Sequence, residues 1–274
     1  MEKSKKNLKL KKSFFENGYL IIKRFANKKT VNYLIESINK VLEEAITNSK
    51  VKIRKSSVKS SVHRLNDNYM LLKTKNPKLK ARVYDKLKSL LVLQGVFSNF
   101  KLIKIIEDII GTPAIVNNTQ IKIDDPSNDR LLNLHQELDQ LSLIHVTAWL
   151  PLQNLTTNKY GGLRFIPKSH KNGFIKHKIS KFGHIKYKSL SEKNIFIKNK
   201  VKILKINSGD LLLFHPLLIH GSLANKSKKV RLTAISRFNG LKTLRIFKDG
   251  KQNYAIGNSQ KLYGYYNTNK FTWK

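Results

Sequence analysis

The sequence predicts a mainly β domain with a layer of helices at its N-terminal end. Before Gly111, apolar residues often recur at intervals of three and four, which is the period of an amphipathic helix. From Pro113 to about Asn239 they form short runs rich in Val, Ile, Leu, Thr and Phe, separated by turn sequences such as NLTTNKYGG, PKSHKNG and NSGD. Helices followed by many short strands indicate helices packed around a β-sandwich or barrel.

The N-terminal part is predicted to hold one strand, three helices and a loop. The strand runs from Tyr19 to Phe25, and the first helix presents an apolar face that recurs from Val31 to Ala45. The polar, basic stretch from 49 to 75 has no such period, so we expect a loop there. Two further helices follow, broken near Gln94 and Gly95, and Gly111 is expected to end the second as a left-handed cap.

The chain of 274 residues is long enough for one large domain, and no part of its middle has the composition of a linker. We therefore expect a single domain over 1–274, with a strand and helical layer at 14–111, a β core at 112–240 and a C-terminal extension at 241–274. There is no cysteine, so disulfides and thiolate metal ligands are excluded. Any metal must be held by nitrogen and oxygen.

The N-terminal sequence gives no sign of a secretion signal or a membrane span. Its basic run, MEKSKKNLKLKK, is followed by too few apolar residues for either. We expect a cytoplasmic protein with no membrane span, and the sequence does not indicate an oligomeric state.

The net charge of +37 raises the question of a polyanionic partner. Of the 54 basic residues only nine are Arg, so 54 − 9 = 45 are Lys, and these are spread along the whole chain. Nucleic-acid sites tend to cluster their charge and to use arginine for forked contacts. We therefore interpret the charge as a solvated surface or as an aid to binding anionic small molecules.

Two histidines and one carboxylate form a candidate metal site. His135 and Glu137 are two apart in a segment of strand character, so both point to one face. His220 follows a later Gly-Asp turn and strand, and Arg231 comes eleven residues after it. Two histidines and a carboxylate make the facial triad of non-haem ferrous oxygenases, which leaves open positions for a 2-oxo acid and dioxygen. Arg231 would then bind the far carboxylate of that acid in a fork.

These residues stand in a sequence that resembles the phytanoyl-CoA dioxygenase family of Fe(II)/2-oxoglutarate oxygenases. The matching pieces are LHQE, VTAWLPLQNLTTNKYGGLRFIPKSHKNG, GDLLLFHPLLIHGS and the arginine in KKVRLTAISRFN, and the resemblance covers most of 14–239. The resemblance implies a double-stranded β-helix core (jelly-roll, cupin-like). It also implies a dioxygenase that uses Fe(II), 2-oxoglutarate and O2 to hydroxylate a small molecule.

Carried over position by position, the resemblance makes His135, Glu137 and His220 the iron ligands. It makes Arg231 the anchor of 2-oxoglutarate, with the hydroxyl of Ser222 on the same carboxylate. The presence of a carboxylate ligand argues against a halogenase, in which a small residue opens that position for chloride.

Three further residues are candidate contacts of the co-substrate. Trp149 matches the family tryptophan that lines the co-substrate pocket, although filling the core is an equal role for it. On an earlier strand, Lys122 and Gln120 are equal candidates for a polar contact.

Some alternatives stay open. The family's usual carboxylate ligand is Asp, whereas this chain has Glu137, and Asp139 lies on the same face as a rival. Arg231 and Arg237, with five residues between them, also match the spacing of oxidative nucleic-acid demethylases, so a nucleic-acid dealkylase is one alternative. A β-barrel binding protein without turnover is another. We expect an anionic or carrier-linked substrate to contact 49–75, 171–200 and the C-terminal tail.

Overall fold

The computed structural model describes residues 2–49, 60–126, 132–137, 145–175, 177–182, 185–190 and 201–240. Within these ranges the helices are α1 (Glu2–Asn17), α2 (Lys28–Asn48), α3 (Ser61–Lys75), α4 (Pro77–Leu87), α5 (Leu91–Phe97) and α6 (Phe100–Ile110). The strands are β1 (Tyr19–Ile22), β2 (Ala114–Asp124), β3 (Leu132–His135), β4 (His145–Pro151), β5 (Leu163–Phe165), β6 (Lys178–Phe182), β7 (Ile185–Ser189), β8 (Lys202–Ile203), β9 (Leu211–Phe214), β10 (His220–Ser222) and β11 (Arg231–Gly240).

The strands form antiparallel sheets. A five-stranded sheet has the order β1-β9-β4-β11-β2, a four-stranded sheet has the order β3-β10-β5-β8, and β6 pairs with β7. Because neighbouring strands come from distant parts of the chain, residues far apart in sequence lie side by side. This crossed order brings His220 of β10 opposite His135 of β3.

The five-stranded sheet separates two apolar clusters. Side chains alternate between its faces, so Leu211 and Leu213 of β9 pack with the helices, whereas Leu212 and Phe214 face inward. On the inner side they meet Leu163 and other residues of the four-stranded sheet in one cluster. The two sheets therefore pack face to face, and the helices cover the outer face of the larger one.

Helical residues outnumber strand residues in the described part of the chain, so the prediction of a mainly β domain is not confirmed. The helical layer and the antiparallel strands are both present. The excess of helix comes partly from α1, which precedes the predicted strand, and from α3, which occupies most of the predicted loop.

The prediction of a loop over 49–75 is wrong for the second half of that range, because α3 spans Ser61–Lys75. Only Leu65, Tyr69 and Leu72 of α3 are buried, so a narrow apolar stripe holds an otherwise polar helix. Residues 50–59 lie outside the described ranges, as does 241–274.

The helix break predicted near Gln94 and Gly95 is also wrong, since both lie inside α5. A Cβ at Gly95 would meet no atom within 4 Å, so this glycine marks a surface position and not a bend. The chain breaks instead on either side of α5, and Asn99 caps α6 by accepting a hydrogen bond from the Lys101 amide. Gly111 does end α6 in a left-handed conformation with φ of 78°, as predicted.

Of the described helices, none combines the length and the apolar composition that crossing a membrane requires.

Candidate metal centre

His135, Glu137 and His220 meet inside the sandwich. Each offers one ligand atom, and the three atoms lie within 4.8 Å of one another. His135 ends β3 and is the cross-strand partner of His220 at the start of β10, with 4.3 Å between their ring centroids. All three side chains are buried. Two nitrogens and one carboxylate oxygen at this spacing can hold a divalent transition metal.

Backbone carbonyl groups fix the orientation of both imidazoles. Nδ1 of His135 lies 2.9 Å from the Asn133 oxygen, and Nδ1 of His220 lies 2.9 Å from the Leu218 oxygen. A carbonyl oxygen only accepts, so each Nδ1 carries the proton and each Nε2 has its lone pair available. Burial, followed by the effect of His220, lowers the pKa of His135 to about 3. The His135 ring is therefore neutral at pH 7, which a metal ligand requires.

An arginine from the opposite sheet holds Glu137. Nε of Arg237, on β11, donates to Oε2 of Glu137 at 2.8 Å, and Nη2 donates to Oε1 at 3.2 Å. Both side chains are less than a tenth exposed. Burial raises the pKa of Glu137, but the positive charge of Arg237, which donates to both carboxylate oxygens, outweighs it and holds the pKa well below its ordinary value. The carboxylate is therefore ionised and ready to bind a cation.

The position of this carboxylate accounts for Glu where the family usually has Asp. Oε1 of Glu137 lies 3.5 Å from Nε2 of His220 while both carboxylate oxygens also receive the Arg237 fork. The side chain of an aspartate is shorter by one carbon–carbon bond, about 1.5 Å. Its carboxylate would therefore lie farther from His220 and Arg237. Asp139, the rival carboxylate, lies outside the described residues.

Gln136, between His135 and Glu137, points to the other side and connects the end of β3 to the segments at 173–177 and at Leu217. Its Nε2 donates to the oxygens of Gly173 at 2.9 Å and Leu217 at 2.8 Å, and its Oε1 accepts from the Ile175 amide at 2.9 Å. Its own amide donates to Nε2 of His177 at 2.8 Å. The side chain is fully buried, so it fixes the β3 end relative to the segment that leads into His220.

The predicted anchor, Arg231, is engaged by a carboxylate of the chain itself. Its Nε and Nη2 donate to Oδ2 of Asp124 at 3.0 and 2.8 Å, and its Nη1 donates to the Leu223 oxygen at 3.1 Å. Arg231 and Arg237 are six apart on β11 and therefore share the inner face. The sandwich thus holds one buried arginine at the metal end and another at the far end of the same strand.

The other predicted contacts lie on β4, β2 and β10. Trp149 packs in the inner cluster beside Ile235, its cross-strand partner. Gln120 and Lys122 occupy alternate positions of β2, opposite Ile235 and Thr233, and so face inward. Ser222, two residues past His220, is partly exposed on β10.

Two buried hydroxyls on the same inner face support a polar ligand there. Oγ1 of Thr147 and Oγ1 of Thr233 have no hydrogen-bond partner among the described residues, and an unpaired buried hydroxyl is costly. Thr147 is the cross-strand partner of Arg237, and Thr233 is that of Lys122. The donor set and these hydroxyls fit a metal ion with a polar co-substrate beside it.

Helix α3 supports the Arg231 end of the site. Asn66 accepts a hydrogen bond from the Val230 amide at 3.0 Å, and Nζ of Lys229 lies 2.5 Å from Nε2 of His63. The residues just before Arg231 are therefore held against α3. The region predicted as a loop is partly a helix that fixes this end of the sandwich.

The roles of Arg237, Gln136 and Asp124 were not predicted from the sequence. For Arg237 a signal was present, because its even spacing from Arg231 places it on the same strand face. Its pairing with Glu137 depends on how the two sheets face each other, which the spacing does not reveal.

We expect the Arg237 and Glu137 pair to behave as a buried ion pair. In metal-free protein, Arg237→Leu should lower the free energy of unfolding by about 3 to 5 kcal/mol, because it leaves a buried carboxylate unpaired. Arg237→Leu combined with Glu137→Leu should recover most of that loss. Denaturant unfolding with a chelator present measures both.

Arg64 is the control, since its Nη2 donates to both oxygens of Glu36 in an ion pair that is far more exposed. Arg64→Leu should cost less than about 1 kcal/mol. Additive losses in the Arg237 and Glu137 double variant would contradict the pairing.

Gln136→Leu should weaken metal binding by about 10- to 100-fold, because the side-chain hydrogen bonds that connect the segments around His135 and His220 are lost. Titration with Co(II) measures this loss. Gln153→Leu is the control, since Gln153 also bridges backbone groups, at Val230 and Leu232, but away from the triad. An equal loss of metal affinity in both variants would contradict a specific role for Gln136.

Comparison with known proteins gives a family and a fold. The family model described as phytanoyl-CoA dioxygenase (PhyH) matches residues 14–233. A probable phytanoyl-CoA dioxygenase of Caenorhabditis elegans is 26% identical over 141 residues, which are 47% of this chain and 45% of that protein. The chain thus matches less than half the length of that relative.

Solved structures of similar fold are more distant in sequence. EctD from S. alaskensis with bound Fe has a TM-score of 0.56 and 13% identity, covering 86% of this chain and 77% of that one. The epimerase SnoN, in complex with Fe3+, alpha ketoglutarate and nogalamycin RO, has a TM-score of 0.53 and 12% identity, covering 86% and 84%. At these identities the likeness shows the fold, whereas the family model covers most of the sequence. The chain belongs to the phytanoyl-CoA dioxygenase family.

Proposed function

We propose that the protein is an Fe(II)/2-oxoglutarate-dependent dioxygenase that hydroxylates a small molecule, on a double-stranded β-helix core. The observation that carries this proposal is the buried group of His135, Glu137 and His220, with both Nδ1 atoms bonded to carbonyls and the carboxylate ionised. Family membership supports the reaction type, and the iron and alpha ketoglutarate bound by SnoN support the cofactors.

In this proposal the iron is held by Nε2 of His135, Nε2 of His220 and the carboxylate of Glu137. When bound, such an iron supplies dioxygen activation coupled to oxidative decarboxylation of 2-oxoglutarate to succinate and carbon dioxide. The chain's own part is to orient the ligands, to keep Glu137 ionised through Arg237, and to exclude water by burial.

The co-substrate is proposed to lie along the inner face between the triad and Arg231. Its far carboxylate would be bound by Arg231, with the Ser222 hydroxyl as a second donor. Lys122 and Gln120 of β2 and the ring of Trp149 would line its sides, as their inward positions allow. The buried hydroxyl of Thr233, which no sequence motif indicated, would add another polar contact.

The substrate is proposed to be an anionic or carrier-linked small molecule. The support is the net charge of +37, which would raise the local concentration of an anion. The same charge would suit the nucleic-acid dealkylase, but the described residues place no cluster of exposed aromatic side chains for base stacking beside the basic residues.

Anaerobic titration with Fe(II) and 2-oxoglutarate tests the proposed cofactors. We expect the weak visible charge-transfer band of an iron-bound 2-oxo acid. The His135→Ala variant should lose this band. The Arg231→Ala variant should bind 2-oxoglutarate at least tenfold more weakly. His170→Gln is the control, since His170 is a buried histidine that bonds the Phe15 oxygen outside the triad. It should keep the band.

Absence of the band in the intact protein, at saturating Fe(II) and 2-oxoglutarate, would contradict the proposal. It would favour a binding protein without turnover.

A further inference from the structure

The guanidinium of Arg231 is almost fully used within the chain. Nε and Nη2 converge on one oxygen of Asp124, at 3.0 and 2.8 Å. Nη1 donates to the oxygens of Leu223 at 3.1 Å and Tyr160 at 3.5 Å. The Nε–Nη2 edge of the guanidinium therefore already binds a carboxylate, and Nη1 on the other edge is engaged by carbonyl oxygens.

The contact between Arg231 and Asp124 follows from the strand register. The two residues are direct cross-strand partners at the ends of β11 and β2, so their side chains share one face. Nδ2 of Asn225 bonds the backbone oxygens of Asp124 and Asp125 at 3.3 and 3.0 Å. The backbone that carries Asp124 is thereby fixed beside Arg231.

The carboxylate of this pair is better placed to move than the guanidinium. The Arg231 side chain is 4% exposed, whereas that of Asp124 is 23% exposed. A Cβ at Gly161 would lie 2.7 Å from Nη1 of Arg231, so backbone packs closely against the guanidinium. Together with the two carbonyl contacts, this packing holds the guanidinium in place while Asp124 can turn toward solvent.

A second cation lies next to Asp124. Nζ of Lys122 is 3.8 Å from Oδ1 of Asp124, and the Lys122 side chain is 32% exposed. When Asp124 leaves Arg231, Lys122 offers it another ion pair on the same strand. Displacement of Asp124 therefore exchanges one cation for another and does not leave a buried carboxylate unpaired.

We propose that Asp124 competes from within the chain for the Arg231 fork and so sets the affinity for the dicarboxylic co-substrate. This inference rests on the proposed function, in which Arg231 binds the far carboxylate of 2-oxoglutarate. Two carboxylates on one guanidinium repel each other, so the ligand carboxylate binds by displacing Asp124. Removal of the Asp124 charge therefore strengthens the binding of 2-oxoglutarate. If Asp124 only oriented Arg231, its substitution would weaken that binding.

The test compares Asp124→Asn with the wild type, using the Mn(II)-loaded protein and 2-oxoglutarate as the probe in isothermal titration calorimetry. Asparagine has nearly the same shape and keeps an oxygen that can accept from Arg231, so the change removes mainly the charge. We expect the Kd for 2-oxoglutarate to fall at least tenfold. Arg231→Ala should weaken binding strongly in both backgrounds.

Asp125→Asn is the matched control. Asp125 is the next residue along the chain and pairs with Lys73 at 2.8 Å instead of with Arg231. The Asp125→Asn substitution removes a negative charge one residue away from Asp124, so we expect less than a threefold change in the Kd for 2-oxoglutarate. Asp124→Ser is a second variant, expected to change Kd in the same direction as Asp124→Asn, and thermal unfolding verifies that each variant is folded.

An unchanged or higher Kd in folded Asp124→Asn and Asp124→Ser, with Arg231-dependent binding in the wild type, would overturn this inference and leave the proposed function standing. A fall in Kd of the same size in Asp125→Asn would also overturn it, because the effect would then be one of general charge. No binding in the wild type or in either Asp124 variant would overturn both the inference and the proposed function.

Discussion

The buried carboxylate of Glu137 is the group around which the interior of this protein is organised. A carboxylate taken out of water needs a cation and hydrogen bonds, or it becomes protonated. Arg237 provides both from the opposite sheet. The pair therefore links the two sheets at the point where His135 and His220 meet. It also keeps the Glu137 carboxylate ionised, which a metal ligand requires.

The same strand serves both ends of the proposed site. β11 lies between β4 and β2, and its inward positions carry Arg237 near the triad and Arg231 at the opposite end. Each arginine is paired with a carboxylate, Glu137 in one case and Asp124 in the other. The two pairs differ in exposure, since Glu137 is buried and Asp124 is at the rim. If Glu137 binds the metal, the first pair holds that ligand in place, and the second is the pair that the proposed co-substrate would open.

The alternation of strands made much of the candidate site predictable. His135 and Glu137 were expected together because side chains two apart in a strand share a face, and the family motifs indicated His220. The three do meet, but β3 ends at His135, so Glu137 reaches the site from just beyond the strand. Helix α3 was not predictable in the same way, because its three buried residues form a narrow apolar stripe in a segment that is otherwise largely polar. The partners of Arg237 and Arg231 could not be predicted either, because they depend on which strands are neighbours and in what register.

The most direct test of this account is a crystal structure of the Mn(II)-loaded protein with 2-oxoglutarate under anaerobic conditions. We expect a metal bound by Nε2 of His135, Nε2 of His220 and one oxygen of Glu137, while Arg237 still donates to Glu137. A metal ligated by another carboxylate, with Glu137 bound to Arg237 alone, would contradict it. In that case the pair of Glu137 and Arg237 would be a structural link between the sheets and not part of a metal centre.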